Sequence, residues 1–114
     1  MVSKNQDKNA SAKQKVVKLS DLSNYEEGVV TSKAVVERQA VSIVVYAFDR
    51  FQGIVEHILP YDALFYVLEG EAEVSIGGYL HVIKTGEMVM FPAKVPHSIN
   101  AKSRFKMLLV SLKE

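Results

Sequence analysis

Cysteine is missing altogether from this chain of 114 residues. Without it there is no disulfide framework, no cysteine-rich zinc site and no thiol nucleophile. The absence also fits a reducing compartment. Long hydrophobic runs are missing too, since no apolar stretch approaches the ~20 residues that a membrane helix needs. The opening residues, MVSKNQDKNASAKQ, are polar and hold no apolar segment, so they do not read as a secretory signal. Neither sign of charge dominates: 14 basic and 13 acidic side chains leave a net charge of +1. Neither a nucleic-acid nor a membrane partner is expected on that balance. Amphipathic helical periodicity is absent after residue 32. Together these absences predict a soluble, cytoplasmic, mostly non-helical protein.

What is present is ordinary for a globular domain. Apolar residues make up 48% and charged residues 24%, enough for one small hydrophobic core. The charge is uneven, with five lysines and one aspartate in residues 1–18 and an acidic excess beyond. Residues 1–15 have no hydrophobic pattern and are expected to form a disordered or loosely ordered tail; residues 16–114 are expected to be one domain. In VVKLSDLSNYEEGVV, residues 16–30, Leu19, Leu22 and Tyr25 would share one face of a helical turn capped by Ser20. An irregular lead-in is the other reading of the same segment.

From residue 32 the chain reads as strands. AVVERQAV is a strand with a polar middle. VSIVVYAFD is rich in β-branched and aromatic residues. ALFYVLEG is a continuous apolar run, as in a strand buried on both sides. EAEVSIGG alternates, with Ala72, Val74 and Ile76 on one face and Glu71, Glu73 and Ser75 on the other. Gly77-Gly78 supplies a tight hairpin turn. YLHVIK returns, with His81 expected on a polar face opposite Leu80 and Val82. EMVMF stops at Pro92, PAKVPH is a loop with two prolines, and RFKMLLVSLK is a last strand. About eight or nine short strands with frequent turns predict an all-β sandwich or barrel.

Of the three histidines, His81 reads as a surface residue. His57 and His97 each sit at a strand end beside a proline-containing loop, where ligand groups of a barrel mouth are often found. The surrounding stretches, EHILPYDALFYVLEGEAEVSIGG and GEMVMFPAKVPHSIN, resemble the two motifs of the cupins. Gly86, Pro92 and His97 fall at the second motif's spacing, and Gly70 at the last glycine of the first. The resemblance covers roughly residues 40–112 and implies a double-stranded β-helix, or jelly-roll barrel, with a pocket at one end.

The departures from the family pattern are informative. A metal-binding cupin uses two histidines and a glutamate of the first motif and a histidine of the second. Here His57 and His97 stand at two of these positions. Leu59 stands at the second histidine, and Ala63 or Leu64 at the glutamate. Phe51 and Lys94 occupy positions of motif glycines, and Ala101 that of the final asparagine. Zinc and non-haem iron centres usually have at least three protein ligands. A divalent metal (Fe, Mn, Ni or Zn) held by His57 and His97 would therefore need a third ligand, for which Asp62 and Gln52 are the candidates. Metal-free acid–base chemistry of the kind found in some cupins would pair His57 or His97 with Tyr61 or Tyr66. Arg38 and Arg50, the only arginines before the first motif, make no anchoring cluster for a nucleotide diphosphate.

The loss of polar ligands points instead to an apolar pocket, lined by Leu59, Ala63, Phe65, Met88, Met90 and Phe91. The expected protein is a small-molecule-binding cupin with a degenerate metal site. The alternative is a metal-dependent oxygenase or isomerase acting through His57 and His97. The apolar strands VSIVVYAF and FKMLLVSL would leave a sheet face to be covered, and a homodimer is expected.

Overall fold

Strand-forming side chains set the architecture from Val30 onward. The computed structural model describes residues 15–114, so all but Lys15 of the expected tail lies outside the described residues. The strands are β1 (Val30–Glu37), β2 (Val41–Phe48), β3 (Gly53–His57), β4 (Asp62–Glu69), β5 (Glu71–Ile76), β6 (Tyr79–Lys84), β7 (Met88–Phe91), β8 (His97–Asn100) and β9 (Phe105–Leu112). They form two antiparallel sheets, one of order β1-β2-β9-β4-β7 and one of order β3-β8-β5-β6. This is the double-stranded β-helix implied by the motifs. Among the described residues no helix is long and apolar enough to cross a membrane.

The core lies between the sheets. Phe48, Phe65, Phe91, Phe105 and Met107 are all sealed from solvent. Phe48 stacks on Phe105 with ring centroids 4.5 Å apart, and Phe65 meets Phe91 at 5.2 Å. The β5–β6 hairpin turns on Gly77 and Gly78, whose φ angles of 58° and 87° suit glycine. Gly70, at φ 82°, passes so close to the chain that a Cβ there would lie 2.6 Å from the Arg104 carbonyl oxygen.

Four local expectations need correction. AVVERQAV is not one strand: it holds the end of β1, a turn and the first residue of β2. The Arg38 amide closes that turn on the Val41 carbonyl oxygen at 2.8 Å. The lead-in, open to a short helical turn or an irregular path, forms a single 3-10 turn at Leu19–Asp21, and only the Ser20 cap fails: the turn is preceded by Lys18 with no side-chain cap. Ser20 is inside that turn and buried, and its carbonyl oxygen accepts from Lys106 Nζ at 2.5 Å. β4 is buried on one side only, through Ala63, Phe65 and Val67, while Leu64, Tyr66 and Leu68 stay half-exposed. His81 is exposed, as expected of a surface residue, but it lies opposite the core residue Val74 in the ladder, so Leu80 and Val82 take the outer face and are 66% and 45% exposed. Register with β5, which commits Ala72 and Val74 inward, decides the face of β6.

Part of the outer face of the larger sheet is apolar, although Lys33 and Asp62 also lie on that face. Ile43, Val110, Leu64 and Met90 form one cross-strand row over four strands, and Leu108, Tyr66 and Met88 form the next.

Candidate functional site

The two histidines meet because β3 pairs with β8. Gly53 stands opposite Asn100, Ile54 opposite Ile99 and His57 opposite His97, with an irregularity between Ile54 and His57. Gly53 is required for this approach: a Cβ there would fall on the Ile99 carbonyl oxygen. The imidazoles sit edge to face at 4.3 Å between centroids and 62° between planes. His97 is only 2% exposed and stacks on Phe91, 4.3 Å away. Each ring turns Nδ1 to a carbonyl of its own chain two residues back: His57 to Val55 at 3.1 Å and His97 to Val95 at 3.3 Å. Burial holds His97 below the ordinary histidine pKa; the Val95 carbonyl opposes this and the neighbouring His57 reinforces it.

Both rings line a cavity of about 350 Å³ between the sheets. Val44 and Tyr46 of β2 and Met107 and Leu109 of β9 form one wall, with Ile54 and Ile99 across from them. Glu37 and Lys113 stand among the lining residues and approach each other at 3.5 Å. Burial, more than the nearby Tyr61 and Glu37, raises the pKa of the Tyr46 phenol.

One row of the larger sheet is decisive for the cavity's polarity. Phe91 lies opposite Ala63, Ala63 opposite Ser111, Ser111 opposite Ser42, and Ser42 opposite Glu37. The row therefore runs from the aromatic ring under His97, past a small residue, to two buried serines and a carboxylate. Sequence reading missed Ser42, Ser111, Tyr46, Glu37 and Lys113. The signal was one serine near the end of each of two apolar strands, VSIVVYAF and FKMLLVSL.

The predicted site residues divide. His57, His97, Leu59, Tyr61 and Phe91 line the cavity. Ala63 and Phe65 belong to the sealed core beside it. Met88 and Met90 are 46% and 38% exposed on the outer face, because the ladder places them beside Tyr66 and Leu64. Tyr66 shares that outer face and so points away from both histidines. Asp62 is exposed and accepts a hydrogen bond from the Ala93 amide at 2.7 Å. Gln52 is in the turn before β3, where its backbone pairs with Asp49 and Ala101, and its side chain is not among the cavity walls. Among the described residues no three His, Cys, Asp or Glu side chains converge as a metal centre requires. Two imidazoles alone do not supply the ligand set of a resident metal.

The positions where the motif glycines are replaced keep their backbone shape. Phe51 has φ 69° and Lys94 φ 65°, both in the left-handed region. Their amides are anchored, Phe51 to the Ala101 carbonyl oxygen and Lys94 to that of Leu59, each at 2.7 Å. The turns before β3 and β8 thus take the left-handed conformation without glycine.

A cupin-domain family model matches residues 51–112. The chain belongs to the cupin family. Among solved structures this cupin is similar to a conserved protein of unknown function from Streptococcus pyogenes, at 34% identity and a TM-score of 0.84, covering 88% of each chain. A cupin superfamily protein from Desulfitobacterium hafniense is 28% identical, with a TM-score of 0.84 over 89% of this chain and 93% of that one. A cupin 2 conserved barrel domain protein from Leptotrichia buccalis is 32% identical, with a TM-score of 0.80 over 82% of this cupin but only 46% of the other chain. No curated protein matches the sequence.

Proposed function

We propose that this cupin binds a small, largely apolar organic molecule between its sheets and does not use the family's metal chemistry there. The observation that carries the reading is the cavity of about 350 Å³ in which two adjacent histidines remain while Leu59 has replaced a third ligand. Its size is at the low end of small-molecule sites. The test combines metal analysis of tag-free protein, with His57→Ala and His97→Ala alongside, and NMR titration with small ring compounds. Ligand-induced shifts confined to the cavity, with no stoichiometric metal, are the expected result. One metal per chain, lost in both variants, would overturn it.

A metal-dependent oxygenase or isomerase is the competing reading, favoured by the 4.3 Å approach of His57 and His97. A divalent ion such as Fe, Mn, Ni or Zn would then have to complete its ligand set with water or substrate. A metal-free acid–base pair would use Tyr61, which shares the cavity with both histidines.

The protein is further proposed to act as a homodimer. The uncharged rows Ile43-Val110-Leu64-Met90 and Leu108-Tyr66-Met88 support a second copy as the cover.

A further inference from the structure

The cavity's polar groups also restrict what it accepts, given that it is a ligand site. A backbone carbonyl can only accept a hydrogen bond. The contacts to Val55 and Val95 therefore place the proton on Nδ1 of His57 and of His97. In the neutral form of each ring, Nε2 is then a lone-pair acceptor on a ring that lines the cavity. Two acceptors side by side call for a cation or a hydrogen-bond donor, and the described residues supply no third metal ligand.

Several features favour a neutral donor. The charged groups lining the cavity, Glu37 and Lys113, compensate each other at 3.5 Å, so neither demands a charged ligand. Tyr46 and the His57 imidazole offer aromatic surfaces to a flat ring. Ser42 and Ser111, paired across β2 and β9, provide a second polar point. We propose that the ligand is a neutral ring compound bearing a hydroxyl, that the hydroxyl donates to the histidine pair, and that a second polar substituent reaches Ser42 and Ser111.

The experiment is an NMR titration of the full chain with toluene, anisole, phenol and 1,3-dihydroxybenzene, following backbone amides and imidazole nitrogens. A purely apolar cavity prefers toluene, because a hydroxyl must leave water. A cavity with waiting acceptors reverses that order. Phenol is expected to bind about tenfold tighter than toluene or anisole, the effect of one well-made hydrogen bond. It should shift the imidazole nitrogens, whose free-state signals report protonated Nδ1 and unprotonated Nε2. The dihydroxy ring should bind tighter still, and Ser42→Ala with Ser111→Ala should remove only that increment. Toluene binding as tightly as phenol would overturn the donor assignment while leaving the ligand site standing. Free-state signals reporting Nε2–H in both rings would also overturn the assignment. If none of the four probes binds, this inference and the small-molecule reading both fail.

Discussion

Replacing Lys94 by glycine should stabilise the protein. Lys94 holds φ 65°, a conformation that crowds the Cβ of an L-residue against its own backbone. That crowding costs roughly 1–2 kcal/mol. Glycine removes it but loses roughly 0.5–1 kcal/mol more conformational freedom on folding. The lysine side chain is exposed and makes no ion pair among the described residues, so little packing is lost. The net expectation is a gain of about 0.5–1 kcal/mol, or roughly 2–8 °C in Tm for a domain near this size. Urea and thermal unfolding followed by circular dichroism would measure it. Lys94→Ala is the control: it keeps the Cβ and should change little, whereas Lys94→Val should destabilise. An Ala variant as stable as the Gly variant, or a Gly variant no more stable than the parent, would refute the strain account. Phe51→Gly should gain less, because its ring is 76% rather than fully exposed and lies under the Arg50 guanidinium at 5.8 Å.

Gly53→Ala should destabilise by about 1–3 kcal/mol, the usual cost of overpacking, and move the His57 imidazole signals by prising β3 from β8. The Asp49 carboxyl is held down to about 2 by the Gly28 amide, by Arg104 and by the Arg50 amide. Because its folded pKa is depressed, its contribution is complete above the ordinary value of 3.8 and fades as pH falls from there towards 2. Urea midpoints measured from pH 5 to 2 should fall, and Asp49→Asn should flatten that limb. Val110→Glu, placed in the middle of the apolar outer row, should shift the light-scattering mass from two chains to one; a wild-type monomer would refute the dimer.

Most of the fold was legible because its signals are local. The alternation of EAEVSI, the Gly77-Gly78 turn and the spacing of Gly86, Pro92 and His97 each depend on neighbours within a few residues. What escaped depended on partners far along the chain. The face of His81 follows from its pairing with Val74, not from the pattern of YLHVIK. Met88 and Met90 look like pocket residues by composition, yet β4 pairs with them so that they face outward. The Ser42–Ser111 pair joins residues nearly seventy positions apart (~70) and exists only because β2 and β9 are in that register. Conversely, the left-handed turns at Phe51 and Lys94 have no glycine to mark them, and only their place in the motif spacing pointed to them.

The position of β9 has a consequence for how the molecule comes into being. It lies between β2 and β4, and Met107, Leu109 and Ser111 form part of the cavity wall. During synthesis β2 can pair with β1 and β4 with β7, but the edges that β2 and β4 turn to β9 have no partner until residues 105–112 leave the ribosome. Closure must then join segments distant in sequence, which is slow and leaves apolar strand edges unpaired meanwhile. A nascent chain stalled before Phe105 should therefore depend on chaperone protection, and a ligand for the cavity should promote only the final step of maturation.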